Sequence, residues 1–578
     1  MIRILLLLCT LAHPVTRTHQ ELIDLVGRKG DVTHLYDLYR AGDSARARID
    51  TLYNRIDWVT PQDYGALGDG STNDSAAFAA MVLATNSAGG GHIYFPTGTY
   101  LTSYRMIFTT GNLHLRGEKG AVLRRIQNDQ YKNGLIYVRP TESPTGADSV
   151  ENLVIENLQI DMSEASVDSS SEFAHALSLV QVHNFRISDN VITNTDGEAI
   201  YTQHCRHGEI SNNRIFNAGN QYGRMGISVV GGRQIEIHGN WVDSSTAGVD
   251  AEPDNSNGGT AYPGLMDVVD IHIHGNTFRR VQSGVTLYNH STAADAGFRN
   301  ISIIGNHIYH RSNSFPAIYA KRRGVGDFYG IVVQGNTIEA EQYTGIQING
   351  ADRSVVANNT IKYTGVGTSI YNGFEISYCD GLSISGNEVA GYTRGFSVAG
   401  DSARNNQNIT LSGNIIKDCG TAIRFLQDYQ YRIILSGTII QNCTQGIAIN
   451  GGMSANSHFS IMGNVANLTA SSGNFLDVTT LLDTASIIGN VSNGVIQFNT
   501  SGGSNTLRNA RFAGNSVSAI TSNFSAHGDN DIDWVGVGSP EGVIVAAIGA
   551  TFRRSDGGAS TTLYIKESGT GNTGWVAK

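Results

Sequence analysis

Proline is scarce in this 578-residue chain, nine residues in all, which excludes a collagenous or proline-rich extended protein. Charged residues are only 16%, against about a quarter in ordinary globular chains, and the balance is −10. That charge excludes a general nucleic-acid or anionic-membrane binder, which needs a basic stripe. Five cysteines (Cys9, Cys205, Cys379, Cys419 and Cys443) are too few and too scattered for a disulfide scaffold. No CxxC spacing marks a metal site, and Walker, Rossmann, nucleophile-elbow and HExxH patterns are absent. No apolar run reaches the roughly 18–20 residues that span a bilayer, so membrane insertion is not expected. The nearest, Ile4–Ala12, has the length of a signal-peptide core, but His13–Pro14 follows in place of a small-x-small cleavage site.

What the chain has instead is glycine, 68 residues, within a repeat that reads apolar-x-apolar-x-Gly-Asn-x-apolar. Clear copies are IEIHGNWV (235–242), IHIHGNTF (271–278), ISIIGNHI (301–308), IVVQGNTI (331–338), LSISGNEV (382–389) and ITLSGNII (409–416). Weaker ones include FRISDNVI (185–192), GEISNNRI (208–215) and RIILSGTII (432–440), where Thr438 replaces the Asn. From Asn190 to Asn515 the unit recurs about every 27 residues. Each copy holds a period-two strand, a turn, a second short strand, and a third of the type GISV, GVDA, GVTL or GIQI. Three short strands and three turns per unit predict one coil of a parallel β-helix. Asn at a fixed turn tolerates the left-handed conformation, and stacked Asn side chains can form a hydrogen-bonded ladder. Cys419 and Cys443 fall at equivalent positions one coil apart, either as stacked buried side chains or as a disulfide.

Upstream, QDYGALGDGSTNDSAAFAAMV and AGGGHIYFPTGTYLTS (within 62–103) resemble the opening of the pectate-lyase-like right-handed β-helix superfamily. Asp74 is expected to N-cap a short helix, Ser75–Ala84, that covers the open end of the solenoid. The resemblance covers about 58–530. Residues 1–57 read as a helical segment, either a trimeric neck or a helix lying on the solenoid. Residues 531–578 leave the repeat, and GATFRRSDGGASTTLYIKESGTGNTGW resembles the small C-terminal β-module of phage tail spikes. It reads as strands Ala550–Arg554 and Thr562–Glu567 around an Asp-Gly-Gly turn, closing on Trp575. The combination resembles a phage tail spike. That resemblance implies a homotrimer, located outside the cell or on a virion tail, whose partner is a bacterial surface polysaccharide.

Aligning the Gly-Ile strands places Tyr201, Ser228, Asp250, Thr286, Tyr319, Gln347 and Glu375 in one outward column. Gln203, Val230, Glu252, Tyr288, Lys321, Asn349 and Ser377 form the next. One coil is unusual: Asp250 and Glu252 share a strand in AGVDAEPDNSNGG (247–259), within the longest interval of the repeat. That stretch resembles a Gly-Ile-Asp-x-Glu-Pro element of carbohydrate-active β-helix proteins. Glycoside hydrolysis needs one protonated and one ionised carboxyl group flanking the bond, so Asp250 and Glu252 are the expected catalytic pair. Asp196, Glu198 and Asp254 are secondary candidates, and Tyr201, His204, Arg224, Tyr288, His290 and Lys321 are expected to bind substrate. The other readings of the pair are a Ca²⁺ or sugar-binding site, or plain solvated surface. No cofactor is otherwise expected. A uronate lyase would use Arg224, Lys321, Tyr288 and His204 to neutralise the carboxylate and take the C5 proton. A non-catalytic receptor-binding solenoid is the third reading. The Asp-Pro-His-Asp signature of mannuronan epimerases is absent.

Overall fold

The computed structural model describes residues 58–578 except 127–133, 141–147, 164–173, 220–223, 255–265, 289–295, 323–325, 366–370, 401–404, 427–429, 451–457, 480–481, 499–506, 509–510, 523–530, 545, 547 and 570. The helical reading of 1–57 and the site candidate His290 therefore lie outside the described residues.

Each coil repeats three strands. In the coil that carries Asp250 they are Arg233–His238, Trp241–Asp243 and Ala247–Glu252, with Gly239–Asn240 between the first two. Successive coils pair in parallel and in register: Ile235 faces Ile271, which faces Ile301, which faces Ile331. Val242 faces Phe278 in the second strand, and Val249 faces Val285 in the third. Three long parallel sheets result, here termed the first, second and third sheets in the order the chain visits them. The second and third each hold 16 strands among the described residues. At about 4.8 Å per strand that is a solenoid roughly 70 Å long. The winding is right-handed, as twisted strands joined by parallel crossovers require. No described helix is long and apolar enough to cross a membrane.

Period-two alternation decides what goes inside. Ile235, Ile237, Val242, Val249 and Ala251 are all buried, while their neighbours Gln234, Glu236 and Trp241 face outward. The Asn side chains form a ladder inside the first corner. Asn240 Nδ2 donates to Asn276 Oδ1 at 3.0 Å and to the Ile210 carbonyl at 2.8 Å, and its backbone N–H donates to Asn276 Oδ1 at 2.9 Å. The same set recurs at Asn276, Asn306 and Asn336. The left-handed residue of the turn is not this Asn but the one before it, Gly239 at φ 65°. Where that Gly is missing, Asp189 (φ 59°), Asn212 (φ 56°) and Asn358 (φ 55°) take its place, the side chains that best tolerate this region.

The end cap is a helix over Ser75–Ser87 that buries Phe78, Met81 and Val82 against Phe95 and Tyr100 of the first coils. Asp74 stands at its N-cap position but makes no capping hydrogen bond. Its carboxylate instead accepts from the backbone N–H groups of Leu67 (2.7 Å) and Gly68 (3.3 Å), while Asn73 Oδ1 accepts from Ser75 N–H. At the other end Asp531–Gly536 pairs in parallel with both Arg511–Ala513 and Thr551–Arg554. Thr551–Arg554, Leu563–Lys566 and Trp575–Ala577 then form the small antiparallel sheet, with Trp575 Nε1 donating to the Ile544 carbonyl at 2.8 Å. Cys419 and Cys443 are both buried free thiols.

Candidate active site

The register of the third sheet carries one column from Tyr201 through Ser228, Asp250 and Thr286 to Tyr319. The parallel column runs from Gln203 through Val230 to Glu252, and one coil further from Tyr288 to Lys321. These side chains point away from the core, yet the first of the pair is not solvent-facing. Asp250 is only 5% exposed, as are Glu198 (5%) and Asp254 (6%), while Glu252 is half-buried. The reading of Asp250 as a solvated surface residue is therefore corrected: its side chain leaves the sheet on the outer face and is nevertheless buried.

Four carboxyl groups share this region, and their surroundings push them apart. Burial drives the Asp250 carboxyl well above its usual range, and the nearby Glu252 and Glu198 charges add to the shift. Glu252 is pushed up to about 7, by burial first and then by the Glu198 and Asp254 charges. Burial works in the same direction on Glu198, but His175 and Arg224 outweigh it and hold that carboxyl below the usual range. The contacts explain why: His175 Nδ1 lies 2.7 Å from Glu198 Oε2, and the Arg224 guanidinium lies 3.6 Å from Oε1. Asp254 pairs with His204 Nε2 at 2.8 Å and accepts from Gln203 Nε2 at 2.8 Å. His204 reaches it from a left-handed backbone position, φ 55°.

Asp250 and Glu252 are thus both shifted toward the neutral form, while Glu198 is shifted toward the ionised one. Its corner immediately precedes the Ile200–Gln203 strand, two coils before Asp250. Asp196 lies on the same corner, half-buried. Of the aromatic candidates, Tyr201 stacks on His175 with ring centroids 4.7 Å apart and planes 1° from parallel. Tyr288 stacks on Tyr319 at 5.7 Å, and Lys321 Nζ sits 5.8 Å above the Tyr319 ring. Tyr288, Tyr319 and Lys321 form a platform beginning one coil beyond Asp250.

Sequence reasoning missed His175 and Gln203. His175 precedes the Leu177–Val180 strand in a coil whose Gly-Asn marker is weak, and only the register places it one coil from Glu198. Gln203 stood in the aligned column, but nothing marked it as the donor that fixes Asp254. Among the described residues no group of three or more His, Cys, Asp or Glu side chains has the arrangement of a metal site.

The fold is that of a right-handed parallel β-helix protein, and part of the chain is pectate-lyase-like in sequence. Residues 58–262 match the family described as rhamnogalacturonase A/epimerase, pectate lyase-like, and residues 265–406 match the right-handed β-helix region. Over 70 residues the chain is 40% identical to the plasmin and fibronectin-binding protein A of Streptococcus pneumoniae, which covers 12% of this chain and 10% of that protein. Over 42 residues it is 50% identical to mannuronan C5-epimerase AlgE3 of Azotobacter vinelandii, covering 7% of this chain and 2% of the epimerase. The chain thus spans only a small part of the curated relatives it matches. The tailspike protein gp49 of Pseudomonas phage LKA1 has a similar structure, with a TM-score of 0.39 and 14% identity over 74% of this chain and 83% of that one.

Proposed function

We propose that this protein binds and cleaves a bacterial surface polysaccharide, whether capsule, exopolysaccharide or lipopolysaccharide, by acid–base hydrolysis of a glycosidic bond. The observation that carries the reading is the split of carboxyl groups in one cluster: Glu252 titrates near neutrality while Glu198 stays ionised. Glu252 is the general acid, since an acid whose pKa lies near the working pH gives up its proton most effectively. It protonates the leaving oxygen as the bond to the anomeric carbon breaks. Glu198 takes a proton from the attacking water on the opposite face. Glu198 and Glu252 stand two strand spacings apart across the sheet, about 10 Å, and are also offset along it, since Glu198 precedes Gln203, the register partner of Glu252, by five residues. An inverting mechanism requires a gap that holds both sugar and water. Asp250, buried and neutral, donates a hydrogen bond to the sugar. Tyr201, Tyr288 and Lys321 line the path of the chain, and sugar rings stack on aromatic faces.

The lyase reading depends on a free cation to neutralise a uronate, and the Arg224 guanidinium lies 3.6 Å from Glu198, which weakens it for that role. Incubation with a panel of bacterial polysaccharides tests both readings. Release of reducing ends without ultraviolet absorbance from an unsaturated product supports hydrolysis. Absorbance growing with the reducing ends supports the lyase, and no release from any polysaccharide supports a receptor-binding solenoid. We further propose a homotrimer in the manner of a tail spike, acting outside the cell or on a virion tail. Light scattering that returns the single-chain mass removes that part.

A further inference from the structure

The outer face of the second sheet carries a basic and aromatic surface on a different side of the solenoid from the carboxyl cluster. Trp241 follows Arg214 in one column, and in the next Phe216, Asp243, Arg279 and Tyr309 succeed one another coil by coil. The Arg279 guanidinium lies 5.5 Å from the Trp241 ring and 5.6 Å from the Tyr309 ring, and Arg214 lies 5.6 Å from the Phe216 ring. Neither Arg214 nor Arg279 makes an ion pair among the described residues, and both are exposed. Their neighbours differ: Arg280 is bound to Asp243 at 2.6 Å and Arg311 to Glu341 at 3.0 Å. Beside Arg279 and Tyr309 the surface opens into a cavity of about 120 Å³, lined also by Arg280, Arg311 and Glu339.

In a chain with a net charge of −10, two exposed arginines lie over aromatic rings without an ion pair among the described residues, although Asp243 stands beside Arg279 in the register. Arginine on an aromatic face keeps its in-plane N–H donors free for a carboxylate or sulfate, while the ring edges offer apolar contact to sugar C–H groups. We propose that this surface is a second, non-catalytic saccharide site that holds an acidic glycan, with Arg279 and Arg214 pairing its anionic groups and Trp241 and Tyr309 contacting its rings. It spans four adjacent strands, about 14 Å, enough for a short run of sugar units. The proposal rests on the polysaccharide reading only for its ligand class, since the residues and the sheet are separate from the cleavage site.

Affinity electrophoresis through gels carrying polygalacturonate, alginate or hyaluronate, with dextran as the neutral control, tests it. The expected result is retardation by at least one acidic glycan and none by dextran. Arg279→Gln and Trp241→Ala should each weaken that retardation at least tenfold, and Arg214→Gln, at an exposed position, should do so with the fold kept. Glu252→Gln should leave the retardation intact, so a failure of the cleavage mechanism and a failure of this site are told apart. Retardation by none of the three glycans, or equal retardation of the Arg279 and Arg214 variants, overturns the proposal. Tighter binding of duplex DNA than of any glycan also overturns it, in favour of a nucleic-acid surface.

Discussion

His175 Nδ1 sits 2.7 Å from Glu198 Oε2, with both side chains almost fully removed from solvent. Burial alone would raise the Glu198 carboxyl, and the His175 contact is the largest influence that keeps it ionised. Replacing His175 by Ala should therefore raise that carboxyl and move the acid limb of the pH–activity profile upward. The stability consequence has a definite sign. A depressed carboxyl contributes stability above its unfolded value, and that contribution is lost as pH falls through its folded value. Thermal melts of the wild type and the His175 variant should diverge at neutral pH and converge in acid. An unshifted acid limb would mean that Glu198 is not the base.

Glu252 gives the opposite pattern. Its carboxyl is raised from 4.5 to about 7, so activity should fall as pH rises through about 7 and the acid loses its proton. The same raised value means that the stability it lends is fully present below about 4.5 and declines as pH rises to about 7. Glu252→Gln should cut the rate at least about a hundredfold, the low end for loss of a general acid, and flatten the pH dependence of melting over that interval. Asp250 separates the roles within the pair. As a neutral donor it should tolerate Asn far better than Ala, and equal losses from both substitutions would assign it proton transfer instead.

Much of this was legible in the chain itself. The Gly-Asn repeat sets the coil length, and alternation along Ile235–Ile237 and Val249–Ala251 fixes which face is inside, so the columns around Asp250 and Glu252 follow from alignment. Burial of Asp250 was not legible, because parity says which way a side chain leaves the sheet and nothing about what closes over it. His175 was hidden for a related reason: its importance comes from a contact across coils made by residues in irregular corners, where spacing varies. Asp74 was read as a helix cap from its local position, but two backbone N–H groups of the Leu67–Gly68 turn compete for the same carboxylate and win.

The pair between His204 Nε2 and Asp254 Oδ2, 2.8 Å apart and nearly solvent-free, ties the corner after one strand to the corner two coils later. Removing one member of a buried polar pair typically costs about 1–3 kcal/mol, because the other is left without its partner away from water. Asp254→Ala should show a loss in that range in urea unfolding. It should also lower the Glu252 carboxyl, since the Asp254 charge helps to raise it, and so shift the basic limb of activity downward. A stability loss with an unmoved basic limb would make Asp254 purely structural.

Among the described residues the Asn ladder has one defective rung, and repairing it should stabilise the solenoid. At Thr438, fully buried, the hydroxyl Oγ1 has no hydrogen-bond partner among the described residues. Its backbone N–H still donates to Asn464 Oδ1 at 2.9 Å, so the rung above is intact. Below, Asn414 accepts from the backbone N–H and the Nδ2 of Asn387, but a threonine offers no carboxamide oxygen to the corresponding donors of Asn414. Every complete rung also sends its Nδ2 to the carbonyl three residues before the preceding marker, as Asn464 does to Leu435 at 3.3 Å. Thr and Asn have similar volumes, so Thr438→Asn should enter the corner without overpacking and supply these bonds to Asn414 and Leu411. At roughly 1 kcal/mol net per buried hydrogen bond, the expected gain is about 1–2 kcal/mol in urea unfolding. The reverse change at an intact rung, Asn306→Thr, removes an acceptor from two donors of Asn276 and a donor from the Ile273 carbonyl, and should cost at least as much. A Thr438→Asn protein no more stable than the wild type would show that the ladder contributes geometry to the corner but little net free energy.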